Sequence, residues 1–231
     1  MDLIQALAAE LGKDPRHVEN VVHLLDEGNT IPFIARYRKE LHGAMDDTSL
    51  RTLEERLQYL RGLEERREAV KKSIDEQGKL TDELAAAIDS AKTLAEVEDL
   101  YRPYKQKRRT RATMAKEKGL EPLAALLFAQ ERDCPRPEEA ARDFVDPEKG
   151  VETVEDALQG ASDIIAEQIS DDAAIRKSLR ALISRQGQLV SRAATEDDSV
   201  YRLYYDFTQS VARLQGHQVL AINRGEKEGI L

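Results

Sequence analysis

The sequence contains no tryptophan, a single cysteine, and few glycines, prolines and aromatic residues. Cys134 alone cannot form an internal disulfide, and no cysteine pair has the spacing of a zinc site. Twelve Gly and seven Pro among 231 residues, with 5% aromatics, are too few for the many turns of a sandwich or barrel. The longest apolar run, 123–129, is too short to cross a bilayer. These absences favour a helical protein outside the membrane.

The bulk composition predicts a folded protein in a reducing compartment. Hydrophobic residues make up 41% of the chain and charged residues 34%, with a net charge of −9, so a core can form despite the polarity. Asp2 stands where a secretory signal peptide needs basic residues. We therefore expect a cytoplasmic protein with no membrane partner.

Apolar residues recur at spacings of three and four along most of the chain, which is typical of amphipathic helices. Three short helices are expected before residue 45, with turns at Gly12 and Gly28, and their order suggests a helix-turn-helix. Ordinary bundle packing is the alternative. No proline interrupts 48–77, so this segment predicts one long central helix of about 45 Å.

Shorter helices follow up to Gly187, and the Asp171-Asp172 pair is expected to begin one of them. Beyond Gly187 the apolar spacing loses its period, so strand and helix both stay open. We predict an all-α fold: a multi-helix array with helix-turn-helix-like elements, one long central helix, and a small irregular or β segment near the C-terminus. The predicted divisions are 1–45, 46–186 and 187–231, the last leading into downstream domains that this chain lacks.

Charge is concentrated in two places of opposite sign. Between residues 100 and 114 there are six basic residues and no acidic one, whereas 133–172 carries 13 acidic and three basic residues. The basic residues lie on a segment that joins two predicted helices, residues 101–111, which we call the basic connector. Several cations close together can neutralise phosphates, and its tyrosines could stack on unpaired bases. Alternatively, these cations pair with carboxylates of the acidic half and only brace the fold.

A second basic cluster, Arg36-Tyr37-Arg38-Lys39, lies at the end of the third predicted helix. The three-residue spacing places Arg36 and Lys39 on one side of that helix, while Phe33 and Tyr37 share another side. This arrangement could hold phosphates while the rings anchor the helix to the core. Alternatively, these cations form ion pairs with a neighbouring acidic helix and fix the short helix against it.

Catalytic and metal sites are not indicated by any motif. The four histidines lie far apart in the sequence, and the chain lacks the HExxH, GxSxG, P-loop and GxGxxG patterns. We therefore predict no catalytic residues, no metal ligands and no cofactor.

Several segments together resemble one known family in the same order along the chain. They are Gly28-Asn29-Thr30-Ile31-Pro32-Phe33-Ile34-Ala35-Arg36-Tyr37-Arg38-Lys39-Glu40, then Leu50-Arg51-Thr52-Leu53-Glu54-Glu55-Arg56, then Lys107-Arg108-Arg109-Thr110-Arg111-Ala112-Thr113, and Val219-Leu220-Ala221-Ile222-Asn223-Arg224-Gly225-Glu226-Lys227. This pattern is similar to that of the Tex family of bacterial RNA-binding transcription accessory proteins. Gln106 stands where that pattern has a proline.

The resemblance implies that the chain is the N-terminal helical region of a longer protein. It implies intramolecular contacts with an RNase-H-like domain, a helix-hairpin-helix region and an OB-fold domain. Our first hypothesis is therefore a non-enzymatic module that binds the RNA or DNA backbone without sequence specificity. The candidate contacts are Tyr104, Lys105, Lys107, Arg108, Arg109 and Arg111 in the connector, and Arg36, Arg38 and Lys39 near the third helix. The rival hypothesis is a protein-interaction scaffold that docks to RNA polymerase or ribosome components.

Overall fold

The computed structural model describes residues 3–132, 134–196 and 198–231. Over these residues it contains twelve α-helices and one two-stranded antiparallel sheet, so the predicted all-α class with a small β segment near the C-terminus is confirmed. The chain forms two compact units, which meet in sequence between Tyr101 and Arg102. The sequence-based division at residues 45 and 186 has other boundaries and stays a prediction.

The first unit consists of six helices. They are α1 (Leu3–Leu11), α2 (Pro15–Asp26), α3 (Ile31–Tyr37), α4 (Asp47–Asp75), α5 (Asp82–Ser90) and α6 (Leu94–Tyr101). Gly12 and Gly28 have φ of 61° and 83°, a left-handed conformation in which glycine is unstrained, so the chain turns there as predicted. Asp14 caps α2 by accepting from the Arg16 backbone N–H at 2.9 Å. The helix-turn-helix interpretation of α1–α3 stays a prediction.

The predicted long helix is α4, and it organises the first unit. It contacts α1, α2, α3, α5 and α6. One stripe of its surface is buried, formed by Leu50, Leu53, Leu57, Leu60, Leu63, Arg67, Val70 and Ile74. Asp47 and Thr48 can also cap a helix, but the residue that caps α4 is Asp46, whose Oδ1 accepts from the Ser49 N–H at 2.7 Å.

The second unit is built around the longest of its helices. Its helices are α7 (Arg111–Glu117), α8 (Glu121–Ala129), α9 (Pro137–Ala141), α10 (Val154–Asp171), α11 (Ala173–Gln186) and α12 (Gly216–Lys227). Helix α10 contacts α7, α8, α9 and α11. Its core consists of small and branched apolar side chains, among them Leu120, Leu123, Val151, Ala157, Ala161 and Ile164. Thr153 and Asp156 form a capping box at the start of α10.

The segment after Gly187 contains both of the structures that the sequence left open. Strands β1 (Gln188–Arg192) and β2 (Asp206–Ser210) pair antiparallel, with Val190 opposite Thr208. The stretch 218–223 has no clear apolar period, yet it lies within α12. Gln215 and Gln218 exchange hydrogen bonds that cap the start of this helix, a signal that apolar periodicity does not detect.

Candidate nucleic-acid interface

The basic connector is held at both ends and irregular in between. Residues Arg102–Tyr104 form one turn of 3-10 helix, residues 105–110 have no regular structure, and α7 begins at Arg111. Thr110 caps α7 by accepting from the Thr113 N–H at 3.0 Å. The cations therefore lie on a short exposed segment whose two ends are fixed, which limits the entropy lost when a ligand binds it.

Two connector cations are bound by carboxylates at the end of α10. Arg102 Nε donates to Asp171 Oδ1 at 3.0 Å, and Lys107 contacts Asp171 as well as Glu167, the latter at 3.4 Å. The Asp171 side chain is only 14% exposed, and that of Lys107 is 29% exposed. The helix expected to begin at the Asp171-Asp172 pair is α11, which Asp172 caps, whereas Asp171 is the last residue of α10. These two cations therefore pair with carboxylates of the same chain, as the alternative interpretation of the connector expects.

Arg109 forms an ion pair that is exposed to solvent. Its Nη2 lies 2.6 Å from Oε2 of Glu117, and the two side chains are 68% and 53% exposed. Such an exposed pair contributes little to stability, about 0–1 kcal/mol, so it can exchange for a phosphate at small cost.

Three further cations of the connector have no partner among the described residues. The side chains of Lys105, Arg108 and Arg111 are exposed and make no ion pair or hydrogen bond with any residue that the structure describes. We call these three the unpaired cations. They lie within seven consecutive residues and are the part of the connector that is available to an external anion.

The tyrosines of the connector differ in their surroundings. The Tyr101 hydroxyl hydrogen-bonds to Ser73 Oγ at 3.0 Å, and the Arg66 guanidinium lies 5.4 Å from its ring centre, so this ring is part of the first unit. Tyr104, the candidate for base stacking, is half-buried in the 3-10 turn. Its role in stacking stays a prediction.

The second candidate cluster lies at the C-terminal end of α3. That helix ends at Tyr37, and Arg38 has φ of −129°, so Lys39 lies outside the helix and the predicted helical pairing of Arg36 with Lys39 is wrong. Arg36, Arg38 and Lys39 make no ion pair with a carboxylate of the described chain. Tyr37 is 56% exposed rather than anchored in the core, an outcome that i, i+4 spacing alone does not reveal.

The contact of His17 is structural. His17 Nδ1 lies 3.0 Å from the Leu41 carbonyl, to which Asn20 also donates, and this ties α2 to the turn that follows α3. Within residues 3–132, 134–196 and 198–231, no group of three His, Cys, Asp or Glu side chains is placed to hold a metal ion. In the same ranges no helix is long and apolar enough to cross a membrane.

Two family models match most of the chain. Residues 1–75 match the Tex-like protein N-terminal domain, and residues 133–231 match the Tex central region-like model. The chain belongs to the Tex family.

Individual relatives are similar along the whole chain. Protein YhgF of Escherichia coli is 48% identical over 228 residues, which are 97% of this chain and 29% of that protein. Transcriptional accessory protein Tex of Neisseria gonorrhoeae is 43% identical over 236 residues, 100% of this chain and 30% of that protein. S1 RNA-binding domain-containing protein 1 of Homo sapiens is 31% identical over 241 residues, 100% of this chain and 24% of that protein. The chain thus spans about a quarter to a third of the length of its curated relatives.

Proposed function

We propose that this chain is a non-enzymatic nucleic-acid-binding module of a Tex-type transcription accessory protein. The observation that carries the proposal is the set of unpaired cations Lys105, Arg108 and Arg111, exposed on a segment that contains no acidic residue. The names of two relatives, one a transcriptional accessory protein and one an S1 RNA-binding domain-containing protein, support it.

The spacing of the unpaired cations suits a phosphate backbone. An extended segment of seven residues reaches at most about 25 Å, enough to meet several phosphates of one strand. Each cation that binds a phosphate releases condensed counterions, and this release drives binding in proportion to the number of phosphates neutralised. The remaining candidates, Lys107 and Arg109, can join once their carboxylate partners exchange for phosphate.

Binding without sequence specificity follows from the chemistry of these contacts. Phosphate contacts position a protein on nucleic acid but carry no base information. The connector has no regular element between Lys105 and Thr110 that could enter a groove and read base edges. We accordingly propose RNA or DNA backbones as the ligand, with Arg36, Arg38 and Lys39 as a further set of contacts in the first unit.

The test is a filter-binding titration of the chain against single-stranded RNA, single-stranded DNA and duplex DNA at two salt concentrations. We expect the triple variant Lys105→Ala/Arg108→Ala/Arg111→Ala to weaken binding of all sequences to a similar degree. Its slope of log K against log salt should be shallower by about 0.7 for each phosphate of a single strand that is no longer neutralised, and by about 0.9 for each phosphate of a duplex.

A charge-matched variant controls for net charge. Lys72, Lys79 and Lys92 are also exposed and have no ion pair in the described chain, and replacing all three with alanine removes the same charge from the first unit. This control should keep the slope of the wild type. Equal slopes for both triple variants would contradict the connector as the contact surface.

A protein-interaction scaffold is the second candidate function, and one observation favours it. Helix α11 buries none of its residues, and Leu179, Leu182 and Ile183 are 49%, 43% and 54% exposed. Contact with RNA polymerase or ribosome components, and with further domains of the family, belongs to this candidate. Binding of purified RNA polymerase that Leu182→Asp abolishes, together with no binding to any of the three polymers, would favour the scaffold over the nucleic-acid module.

A further inference from the structure

The first unit pairs most of its arginines with carboxylates. Six of its eight arginines form an ion pair, including every arginine of α4: Arg16 with Asp14, Arg51 with Asp47, Arg56 with Glu10, Arg61 with Asp26, Arg66 with Glu98, and Arg67 with Glu64. The two arginines without a carboxylate partner in the described chain are Arg36 and Arg38. They flank the exposed Tyr37.

We call Phe33, Arg36, Tyr37, Arg38 and Lys39 the α3 surface: ring and guanidinium contacts connect the first four, and Lys39 is the next residue along the chain and is exposed. The ring centres of Phe33 and Tyr37 lie 5.3 Å apart at an interplanar angle of 47°. The Arg38 guanidinium lies 5.2 Å from the Phe33 ring centre, and that of Arg36 lies 6.0 Å from the Tyr37 ring centre.

A hydrogen bond to the backbone fixes the position of the Arg38 side chain on this surface. Arg38 Nη1 donates to the Tyr37 carbonyl at 3.2 Å, so this guanidinium is held against the end of α3 while its other N–H groups have no partner among the described residues. The Arg36 guanidinium lies near the Tyr37 ring, Arg38 follows Tyr37 in the chain, and more than half of the Tyr37 surface is exposed to solvent. An aromatic face flanked by cations is the arrangement that binds a base and its neighbouring phosphates together.

We propose that the α3 surface is a binding site for single-stranded nucleic acid, with an unpaired base stacked on Tyr37 and the adjacent phosphates on Arg36, Arg38 and Lys39. This inference rests on the proposed function and adds the strandedness of the ligand, since a base inside a duplex has no face to offer. An acidic peptide would also satisfy the cations, but it would leave the exposed ring without a stacking partner.

The absence of tryptophan from the sequence makes the test direct, because the Tyr37→Trp variant carries the only indole in the chain. Titration with oligo(rU) and oligo(dT) should quench its fluorescence, and the two oligomers separate RNA from DNA as the source of the bases. An abasic oligomer with the same number of phosphates should leave the emission unquenched. Quenching by the abasic oligomer to the same extent would overturn the stacking proposal.

Affinity gives a second readout that does not depend on the indole. We expect Tyr37→Ala to weaken oligo(dT) binding about 5-fold or more, because one base stack is removed, and Tyr37→Phe to keep wild-type affinity. The matched control is Phe128→Ala, which removes a ring that is 50% exposed in the second unit. Tyr37→Phe and a far-UV circular dichroism spectrum of each variant separate loss of stacking from loss of folding.

The outcomes distinguish this inference from the proposed function. Unchanged oligo(dT) affinity in Tyr37→Ala, with weaker binding by the connector triple variant, would overturn the α3 site and leave the proposed function standing. No binding by the unmodified chain to any polymer would remove both. Displacement of oligo(dT) from the α3 surface by poly-glutamate at equal charge would show an acidic protein site instead and overturn the proposal.

Discussion

At the scale of single residues, long-range arginine–carboxylate pairs join neighbouring helices of the first unit. Arg61 of α4 donates through both Nη1 and Nη2 to Asp26 of α2, at 2.7 and 2.8 Å. Arg56 of α4 binds Glu10 of α1 in the same two-pronged manner, at 2.7 and 3.0 Å. Bidentate geometry fixes the direction of approach as well as the distance, so these pairs set how α1 and α2 lie against α4.

The Asp26 pair predicts a dependence of stability on pH. The hydrogen bond from Arg61 lowers the pKa of Asp26 below its ordinary value of about 3.9. Because the folded pKa is the lower one, the pair stabilises the fold above about pH 4, and this contribution is lost as the pH falls through the folded pKa. Both side chains are about half exposed, so the contribution is at most about 1 kcal/mol.

We expect Asp26→Asn to lower the free energy of unfolding at pH 7 and to match the wild type near pH 2. Urea unfolding at both pH values measures the difference. Glu19→Gln on the same helix removes one negative charge but no ion pair of the described chain, and serves as the control. A destabilisation of Asp26→Asn that is equally large at both pH values would show that the ion pair is not its cause.

Contacts between residues close in sequence were predictable, whereas contacts between residues distant in sequence were not. The caps at Asp14, Thr81 and Thr110 follow from side chains that can bond to the next turn of a helix. The partner of Lys107 is Asp171, 64 positions away, and only the fold brings them together. The sequence shows the excess of acid in 133–172 but not which carboxylates bind the connector.

At the scale of elements, two glycines in long helices differ in the space available to a side chain. Gly62 in α4 is exposed, and a Cβ there would meet nothing within 4 Å. Gly160 in α10 faces the core, where a Cβ would lie 2.3 Å from Leu120 Cδ1 and 3.3 Å from Ala115 Cβ. Leu120 is only 1% exposed and has little room to move. The close approach of α10 to α7 thus depends on the missing side chain at Gly160.

We therefore expect Gly62→Ala to raise the free energy of unfolding by about 0.5–1 kcal/mol through helix propensity. Gly160→Ala gains the same propensity but overpacks the core, and we expect a net loss of about 1 kcal/mol. Thermal or urea unfolding followed by circular dichroism checks both. Stabilisation by Gly160→Ala would show that Leu120 repacks without strain.

The connector as an element is restrained by Asp171, which binds Arg102 and Lys107. We expect Asp171→Asn to free Arg102, to leave Lys107 only its longer contact with Glu167, to tighten nucleic-acid binding, and to increase the magnitude of the salt slope by about 0.7–0.9 for each cation that joins a phosphate. Asp163→Asn removes the same charge from α10, where that side chain accepts only from Gln159 in the described chain. Equal gains in affinity for the two variants would attribute the effect to net charge alone.

The extent of α4 was predictable to within about two residues from its uninterrupted apolar spacing, although the residue that caps it was not, and the end of α3 was not predictable in this way. The sequence predicts that α3 continues through Lys39, because its residues are compatible with a helix. The helix ends at Tyr37, and the next residues turn so that His42 is buried, a tertiary constraint that local pattern does not contain.

At the scale of the whole molecule, a net charge of −9 makes a general attraction to polyanions unfavourable. Binding must therefore be local, at cations that have no carboxylate partner in the described part of the chain. In the connector these are Lys105, Arg108 and Arg111, and on the α3 surface they are Arg36, Arg38 and Lys39. The positions of these residues were predictable as basic clusters, while their division into paired and unpaired cations required the structure.

The most direct test compares the salt dependence of nucleic-acid binding for two connector variants. One removes the unpaired cations, Lys105→Ala/Arg108→Ala/Arg111→Ala, and the other removes the cations bound to Asp171, Arg102→Ala/Lys107→Ala. We predict that the slope of the first variant on single strands is shallower by about 2 units, and that of the second by less than about 1. A slope unchanged in the first variant, or reduced equally per cation in both, would contradict the central claim that the cations without internal partners bind the phosphate backbone.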